Sequence, residues 1–346
     1  MRFLNRQLMF AAIATMALAA CGGSTSSSAP ASSASSAPTA ITLMVGGLNK
    51  QIYLPNMLTQ QLGYYKAENL DVTLVDEGSG QGSEEALIAK QVQAASGSYS
   101  HTIELQPKGK FIETVCQFGI APGEAEMVST KHPEIKTAAD LKGKNLGVTS
   151  IGSGTQTVTS AIIGKAGLSP TNDAKWVPVG AGATFIAAMK QGTIDAGMTT
   201  EPTISKLVAN GDARILVDLL TPANTRKALG GDYPFIGIFM ENDYVAAHKD
   251  TTQHLVNAYV KTLKWMKSHT AEEIATKMPA DYYAGDKTAY VAALNNQLSI
   301  FGSDCKMPAG GPETVLKIDQ DFVASMKGKT ADLSKSYTNE FASKAQ

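Results

Sequence analysis

A run of small and hydroxylated residues, SIGSGTQT, has the composition of an anion-binding turn. Gly152 and Gly154 allow a tight turn whose N–H groups point outward, and a helix is predicted to begin at this turn. The first N–H groups of a helix lack intrahelical acceptors and carry a positive partial charge, which favours a negatively charged ligand. Ser153 and Thr155 add hydroxyl groups, although either could instead serve only as a helix N-cap. A nucleotide-binding P-loop requires Gly-Lys-Ser/Thr after its glycines, and Gln156 follows instead, so nucleotide hydrolysis is not expected.

The chain contains two copies of one motif, offset by 100 residues: EGSGQGSEEALIAKQVQAASG ends at Gly97, and PVGAGATFIAAMKQGTIDAG ends at Gly197. In the first copy a glycine turn precedes a helix predicted over 83–91 and a short strand, which is the layout of a strand–helix unit. Two such units would each offer a helix N-terminus to a shared ligand, or would be a packing block repeated without any ligand. The matched positions are Gly80 and Gly180, Gly82 and Gly182, and Lys90-Gln91 and Lys190-Gln191.

Further polar residues follow predicted strands, and ligands of open α/β sheets bind at the carboxyl ends of strands. Lys50 is a cation near a predicted pocket turn and would neutralise a carboxylate or sulfonate; a simply exposed lysine is the alternative. Tyr99 would stack on a planar ligand, or is an ordinary tyrosine at the edge of the core. Glu201 would accept an N–H of the ligand, or stabilises a helix start. The candidate ligand-binding residues are Asn49, Lys50, Gln51, Ser79, Gly80, Gln81, Ser98, Tyr99, Ser100, Ser153, Gly154, Thr155, Gly180, Ala181, Thr199, Thr200 and Glu201.

Motifs for catalysis and metal binding are lacking in the sequence. The five histidines are scattered, none stands in a His-Glu-x-x-His pattern, and no Gly-x-Ser-x-Gly elbow occurs. No catalytic residue, metal site or cofactor is therefore expected, and the chain is predicted not to be an enzyme. A formal net charge of −1 without a basic run argues against nucleic acid as a partner.

The N-terminus has the layout of an export signal, in which two arginines precede the apolar run LMFAAIATMALAA. This run is too short to span a bilayer as a mature helix. The following LAAC resembles the lipobox of bacterial lipoproteins, which implies a signal peptide over 1–20 and a lipid on Cys21; cleavage of an ordinary signal after Ala-Ala is the alternative. The Ser-, Ala- and Pro-rich stretch 21–40 cannot bury a core and is predicted to be a flexible tether.

From Ile41 onward strands alternate with helices, which favours largely parallel sheets with helices on their faces. About 300 residues is large for one core, so two lobes are expected. The strands EMVSTK and FIGIFME are predicted to cross between the lobes, with hinges at roughly 125–130 and 231–237, and the chain is helical after the second crossing. The predicted boundaries are 41–127 plus 236–346 for lobe 1 and 128–235 for lobe 2.

Cys116 and Cys305 remain once Cys21 is assigned to the lipid. Disulfides persist in exported proteins, so a bridge between these two cysteines is one hypothesis. Two separate buried thiols are the alternative, because the sequence does not show whether their Cα atoms come within reach of each other.

Three stretches carry a family resemblance. LGYYKAENLDVTLVDEGSG, IKTAADLKGKNLGVTSIGSGTQT and MKQGTIDAGMTTEP resemble, in this order, segments of the substrate-binding proteins of ABC importers, within the nitrate/sulfonate/taurine/thiamine-precursor group. The resemblance spans Ile41 to Ser268. The chain departs from the group where the first copy of the repeat lacks the counterpart of Asp195, and where TTEP has no aromatic residue before Glu-Pro. The ligand of a relative is therefore not transferred to this chain.

The resemblance implies a type II periplasmic-binding-protein-like α/β fold, with two lobes, a two-strand hinge and C-terminal helices. It implies an exported, lipid-anchored monomer on the periplasmic or extracellular face. This receptor would close over a small organic anion, a sulfonate or a carboxylate with aromatic ones included, and pass it to an ABC permease in the cytoplasmic membrane. A pyrimidine or other heterocyclic vitamin precursor is an alternative ligand, and a ligand sensor for a membrane kinase is an alternative role. An enzyme of the thiamine-precursor type would carry a cysteine-rich cluster, which this sequence lacks.

Overall fold

The computed structural model describes residues 37–283 and 285–345. The predicted signal peptide, the candidate lipid site at Cys21 and most of the predicted tether lie outside these residues. The first strand begins at Thr39, so the last two residues predicted as tether belong to the sheet. In the described part of the chain, no helix combines the length and the apolarity that a bilayer crossing requires.

Ten strands within the described residues form two five-stranded sheets. The first sheet has the order β2-β1-β3-β10-β4 and the second has the order β7-β6-β8-β5-β9. The strands are β1 (Thr39–Val45), β2 (Leu70–Asp76), β3 (Ala94–Ser98), β4 (Ile112–Gln117), β5 (Glu124–Ser129), β6 (Asn145–Val148), β7 (Lys175–Pro178), β8 (Ala196–Thr200), β9 (Ala213–Asp218) and β10 (Ile236–Glu241).

The two sheets follow the same plan, which confirms the predicted two-lobe α/β architecture. In each sheet the first of three parallel strands lies between the other two: β1 pairs with β2 and β3, and β6 pairs with β7 and β8. The strand that arrives from the other lobe, β10 or β5, pairs antiparallel with both of its neighbours. The sheets are therefore mixed, because each crossing strand runs back against the strands of the lobe that receives it.

The chain crosses between the sheets at 118–123 and at 230–235, between β4 and β5 and before β10. Strand β5 pairs with β8 and β9 over its whole length, so it belongs to the second sheet. The predicted boundary between residues 127 and 128 thus falls inside a strand, and the hinge predicted at 125–130 falls largely on that strand. The second predicted hinge, 231–237, overlaps the second crossing.

Helices cover both sheets and extend the first lobe towards the C-terminus. A single helix is expected from the apolar spacing after Tyr53, but Gly63, at φ 74°, separates two short helices. The helices of the described chain are α1 (Leu54–Gln61), α2 (Tyr64–Ala67), α3 (Gly80–Ile88), α4 (Ser100–Glu104), α5 (Gly154–Lys165), α6 (Ala183–Gln191), α7 (Thr203–Ala209), α8 (Pro222–Leu229), α9 (Asn242–Ala247), α10 (Lys249–Lys267), α11 (Ala271–Lys277), α12 (Lys287–Gln297), α13 (Gly311–Phe322) and α14 (Glu340–Lys344).

The repeated motif occupies the same place in each sheet, since α3 leads into the central strand β3 and α6 leads into the central strand β8. The glycines at the ends of the two copies allow close packing. A methyl group at Gly97 would lie 3.0 Å from Phe239 Cζ, and one at Gly197 would lie 2.6 Å from Gly147 O. The copies differ at their helix starts, because α3 begins at the first matched glycine and α6 begins three residues after it.

The C-terminal helices belong mainly to the first lobe, but one of them contacts both lobes. Helix α10 buries one apolar face against α1, α2 and β4. Helix α13 packs against α4 of the first lobe and α5 of the second. A disulfide between Cys116 and Cys305, with Cα atoms 4.4 Å apart, joins β4 to the segment that precedes α13. This covalent link holds the C-terminal segment against the first sheet.

Candidate ligand-binding cleft

The two lobes meet along a cleft, and the ends of strands and helices from both lobes line it. In this conformation the lobes are in contact, and the cavity between them encloses about 20 Å³, room for about one water molecule. The lining residues are Lys50, Ile52, Tyr53, Gly80, Ser98, His101, Glu124, Thr149, Ser153, Gly154, Thr155, Thr200, Phe235 and Ile236.

The N-terminus of α5 forms the wall from the second lobe. Ser153 caps the helix, since its Oγ accepts the Gln156 N–H at 3.4 Å and lies 2.7 Å from Thr155 Oγ1. As in any helix, the first N–H groups, here those of Gly154 and Thr155, have no intrahelical acceptor. Gly154 packs closely against the first lobe, because a methyl group in its place would lie 2.9 Å from Ser98 Cβ. Ser153 is thus an N-cap, and the helix end that it caps lies at the cleft.

The wall from the first lobe is built on glycines that bring three elements together. A methyl group at Gly46, after β1, would lie 2.6 Å from Gly80 N at the start of α3. Gly80 in turn packs against Gly97 of β3, because a methyl group at Gly80 would lie 3.2 Å from the Gly97 Cα. Ser79 caps α3 by accepting the Gly82 N–H at 3.2 Å. The first copy of the repeat therefore positions a helix N-terminus at the cleft through backbone packing.

Lys50 places a buried cation beside this wall. Its side chain is 8% exposed, and Nζ donates to Gly46 O at 2.6 Å and to Gly78 O at 2.9 Å. Burial lowers the pKa of Lys50 to about 8, while the carboxylate of Glu124 raises it. At neutral pH, which is below this pKa, Lys50 is mainly protonated. The lysine therefore supplies positive charge to the cleft, and the alternative of a simply exposed surface lysine does not apply.

Glu124 places a carboxyl group in the same cavity. It is the first residue of β5, is 2% exposed, and its Oε2 has no hydrogen-bond partner among the described residues. Burial raises the pKa of Glu124 well above its usual value, Lys50 lowers it, and Glu126 raises it further. Glu126 lies on the same face of β5, outside the lining of the cavity, and its Oε2 accepts a hydrogen bond from Thr159 Oγ1 at 2.8 Å.

His101 contributes an uncharged ring to the cleft. It is 1% exposed, and its Nδ1 lies 3.0 Å from Glu84 Oε2. Burial lowers the pKa of His101 to about 4, and burial raises the pKa of Glu84 to about 8. Both shifts favour a neutral pair near pH 7. Lys50 is therefore the residue that carries ionic charge near pH 7 among the described residues that line the cavity, because burial also raises the pKa of Glu124 well above its usual value.

The candidate residues from the sequence fall into three groups. The first group lines the cavity, the second lines grooves that flank it, and the third lies outside these linings. The first group is Lys50, Gly80, Ser98, Ser153, Gly154, Thr155 and Thr200. The second group is Gln81, Asn49 and Glu201. The third group is Gln51, Ser79, Tyr99, Ser100, Thr199, Gly180 and Ala181.

Tyr99 is the clearest departure from the sequence expectation. Its side chain is fully buried in the first lobe, and its Oη lies 2.6 Å from Ser336 Oγ. Gln51 is likewise turned inward, since its Nε2 donates to Tyr290 O at 2.8 Å. Thr199 and Thr200 are neighbours on β8, and successive side chains of a strand point to opposite faces, so only Thr200 reaches the cavity.

Two larger grooves flank the closed cavity. One encloses about 540 Å³ and is bounded by α3, the start of α5 and the segment after α13. The other encloses about 270 Å³ and includes Asn49, Glu201 and Tyr282. Both carboxylate oxygens of Glu201 accept hydrogen bonds from Ser205, at 2.8 Å from its Oγ and 3.0 Å from its N. This arrangement matches the alternative in which Glu201 stabilises the start of a helix and does not bind the ligand.

Several lining residues have no counterpart in the sequence prediction. A signal did exist for Glu124, because Glu124 and Glu126 alternate in the run EAEMV, and a strand places both on one buried face. Phe235 enters the site from the second crossing between the lobes, where no strand-end rule applies. The missed residues are Ile52, Tyr53, His101, Glu124, Thr149, Phe235 and Ile236. No group of three or more His, Cys, Asp or Glu side chains in the described chain is arranged to hold a metal ion.

The sheet order and the interlobe cleft define the periplasmic-binding-protein fold, and comparisons with solved structures agree. The alkanesulfonate-binding protein SsuA from Xanthomonas axonopodis pv. citri, solved with MOPS bound, has a TM-score of 0.67 at 18% identity, over 87% of this chain and 98% of that one. The periplasmic nitrate-binding protein NrtA from Synechocystis PCC 6803 has a TM-score of 0.72 at 12% identity, over 89% and 88%. The desulfurization enzyme DSZB also shares the fold, at a TM-score of 0.58, so the fold alone does not exclude catalysis.

The sequence comparisons identify the family. Residues 52–273, more than half of the chain, match the family described as NMT1/THI5 like. A solved protein from Bordetella bronchiseptica RB50 is 34% identical, with a TM-score of 0.83 over 88% of this chain and 96% of that one. The chain therefore belongs to the NMT1/THI5-like family, which confirms the resemblance noted from its motifs. A search of curated protein sequences gave no match.

Proposed function

We propose that this protein is the extracytoplasmic solute-binding component of an ABC importer and that it binds a small organic anion between its lobes. The observation that carries the proposal is the convergence of the α5 N-terminus and the Lys50 ammonium on one interlobe cavity. Family membership and the relationship to sulfonate- and nitrate-binding proteins support the role in transport. A sulfonate or a carboxylate is the acid group that we assign to the ligand.

The chemistry of the two converging groups favours an acid. A helix N-terminus stabilises a negative charge by about 0.3–1 kcal/mol at exposed sites and by up to about 2 kcal/mol where it is partly buried. Lys50 adds a full positive charge in a site where water is largely excluded. Ser98 and Thr200 add hydroxyl groups from opposite lobes. Acid groups accept hydrogen bonds through several oxygens, so donors from both lobes would hold them best when the lobes close.

Ligand binding on this account requires motion of the lobes. The cavity of about 20 Å³ is too small for an organic acid, so the lobes must separate to admit one and remain further apart around it. The two crossings at 118–123 and 230–235 are the connections about which the lobes would turn. A ligand that contacts both lobes would stabilise the more closed arrangement by its differential affinity for that state.

The N-terminal part of the proposal is export followed by lipid attachment at Cys21. This attachment would keep the receptor close to a permease in the cytoplasmic membrane, with the Ser-rich stretch as its tether. Growth with a radioactive fatty acid would test it. The wild-type protein is expected to incorporate label and Cys21→Ser is not, whereas equal labelling of the two would contradict the anchor.

A heterocyclic vitamin precursor is the second candidate ligand. The aromatic rings of Tyr53 and Phe235 line the cavity and would suit a planar molecule once the lobes separate. Such a ligand need not carry an acid group, so it would depend less on Lys50. The transport role would be the same in either case.

A thermal-shift screen of the processed protein, purified in detergent, tests the ligand class. Sulfonates, carboxylates and pyrimidines at about 100 times their Kd would stabilise the fold by about 2.7 kcal/mol. Lys50→Met removes the cation, and Lys110→Met, at an exposed position of the first lobe, is the matched control. We expect an acid to raise Tm for the wild type and the control and to do so much less for Lys50→Met. A shift with neutral pyrimidines alone, or one that survives in Lys50→Met, would contradict an acid ligand.

A further inference from the structure

We propose that Glu124 binds the ligand as a protonated carboxyl group, whose O–H donates a hydrogen bond to an oxygen of the ligand's acid group. The inference deepens the proposed function and rests on it. It adds a neutral donor to the ammonium of Lys50 and the first N–H groups of α5 at the same cavity. Glu124 would thus be a further residue that determines the specificity of the site.

Glu124 lies where a ligand between the lobes would meet it. It is the first residue of β5, and residues of the first crossing lead directly into it. In the antiparallel pairing of β5 with β8, Glu124 lies opposite Thr200, and both residues line the cavity. Strand β5 and helix α5 belong to the same lobe, so an acid group at the start of α5 stays near Glu124 when the lobes separate.

The surroundings of Glu124 do not compensate a negative charge. The residue is 2% exposed, and its Oε2 has no hydrogen-bond partner among the described residues. Lys50 Nζ donates to the carbonyl oxygens of Gly46 and Gly78. A buried carboxylate is stable only where donors or cations satisfy it, so the carboxyl group of Glu124 keeps its proton in the closed state. Burial raises the pKa of Glu124 well above its usual value, which agrees with this assignment.

The other titratable groups around Glu124 are consistent with the protonated state. Lys50 lowers the pKa of Glu124, and Glu126 of the same strand raises it. Asp218 of β9 lies opposite Ala125, so its side chain points to the other face of the sheet. Burial also keeps three groups on neighbouring elements neutral, by lowering the pKa of a histidine to about 4 and raising the pKa of two tyrosines: His101, Tyr53 and Tyr233.

A protonated carboxyl group suits an acid in this position. It carries one O–H donor, and a hydrogen bond from O–H to a charged oxygen is short and strong. With Glu124 neutral, the positive charge of Lys50 balances one acid group of the ligand. An ionised Glu124 would instead repel that acid group.

Two other carboxyl groups near the cleft do not offer this donor. Both oxygens of Glu201 accept hydrogen bonds from Ser205. Glu126 does not line the cavity, and its Oε2 accepts from Thr159. Among the residues that the structure describes, Glu124 is therefore the carboxyl group that lines the central cavity and has a buried oxygen without a partner.

Two replacements of Glu124 test the donor. Glu124→Gln keeps an N–H donor and cannot ionise, whereas Glu124→Met has a similar length and donates no hydrogen bond. The assay is calorimetry on the processed protein in detergent, with ethanesulfonate, benzenesulfonate, propanoate and benzoate as probes. For the acids that bind near neutral pH, we expect Glu124→Gln to stay within about threefold of the wild-type Kd and Glu124→Met to bind about tenfold more weakly or worse. Glu126→Gln, a buried carboxyl of the same strand outside the cavity lining, is the matched control and is expected to keep the wild-type Kd.

The pH dependence of Kd provides a second readout. As the pH rises, Glu124 of the wild type loses its proton in the open form, where water reaches it, so the affinity for an anion falls. Lys50 loses its proton in the wild type and in Glu124→Gln alike, so the ratio of the two affinities isolates Glu124. This ratio is expected to shift in favour of Glu124→Gln between about pH 6 and about pH 9.

The contrary outcomes are distinct. Equal Kd values for the wild type and both Glu124 variants would overturn the inference while the proposed function stands. Tighter binding by both variants would show an ionised carboxylate that repels the acid, and equal weakening of both would exclude the donor role; either result overturns the inference. If none of the four acids binds the wild type, both the inference and the acid ligand are overturned.

Infrared difference spectra of the wild type test the inference even if the Glu124 variants fail to fold. The two sulfonates have no carbonyl group, so a change in the carbonyl stretching band of protonated carboxyl groups on binding belongs to the protein. We expect binding to shift this band and Glu124→Gln to lack the shift. No shift in the wild type on binding would overturn the inference.

Discussion

Gly154→Ala is expected to act on closure of the lobes rather than on the stability of either lobe. The added methyl group would lie 2.8 Å from Phe235 Cζ and 2.9 Å from Ser98 Cβ, both closer than carbon atoms normally approach. Because Gly154 belongs to the second lobe and Ser98 to the first, separation of the lobes relieves the contact with Ser98. Helix α5 itself accepts Ala at its first position without strain.

The size of the effect follows from the cost of overpacking. An extra methyl group in a tightly packed contact costs about 1–3 kcal/mol. Because the ligand-bound lobes lie further apart than in this conformation, the cost falls on the empty, closed state, whose population relative to open states falls by about 5- to 150-fold. Gly78→Ala is the matched control, because a methyl group there would meet no atom within 4 Å.

Calorimetric Kd values and small-angle X-ray scattering with and without ligand provide the assay. We expect Gly154→Ala to be less compact than the wild type without ligand, to bind an acid at least as tightly and to keep a Tm near that of the wild type. Unchanged compaction without ligand, or a weaker Kd, would refute the account of closure around the α5 N-terminus. A large loss of Tm without ligand would show that the contact supports the fold instead.

Three further predictions concern the disulfide, the buried carboxyl groups and Tyr99. Paired replacement of Cys116 and Cys305 by Ser is expected to lower the free energy of unfolding by about 2–5 kcal/mol in urea titrations, because the bridge closes a long loop. Glu126→Gln is expected to flatten the dependence of stability on pH. Burial raises the pKa of Glu126 from its ordinary 4.5 to about 8. The protonated group therefore stabilises the folded state fully below pH 4.5, and this stabilisation is lost as the pH rises through 8. The loss in the free energy of unfolding is on the order of a few kcal/mol. Tyr99→Phe is expected to cost about 0.5–1.5 kcal/mol of stability through the lost bond to Ser336, with no change in ligand Kd.

A different result would contradict each of these three predictions. Equal unfolding of the oxidised wild type and the double cysteine variant would mean that the bridge adds no stability. A pH profile of Glu126→Gln parallel to that of the wild type would contradict the raised pKa of Glu126. A large loss of affinity in Tyr99→Phe would show that Tyr99 contacts the ligand.

The sequence predicted the fold well because the repeated strand–helix units impose local patterns. Glycine turns, helices and strands are each indicated by residues close together in the sequence. The two-lobe architecture and the position of α5 could therefore be predicted from the sequence. The boundary near residue 127 was placed inside β5, because membership of β5 in the second sheet depends on pairing with β8 and β9 far along the chain.

The cleft was predicted only in part for a similar reason. Strand-end and helix-start rules located Lys50, Gly80 and Ser153, whose positions follow from adjacent elements. The same rule included Tyr99, which is held in the core by Ser336, a partner 237 positions away that no local pattern reveals. Phe235 was missed because it reaches the cavity from the crossing between the lobes.

A crystal structure of the protein with the tightest-binding acid from the screen tests the central claim most directly. We predict one ligand between the lobes, with its acid oxygens about 2.7–3.2 Å from the first N–H groups of α5 and within hydrogen-bonding reach of Lys50. The lobes should be further apart than the cavity of about 20 Å³ allows. A ligand found instead in the groove of about 540 Å³ beside α3, with the central cleft unchanged, would contradict the account.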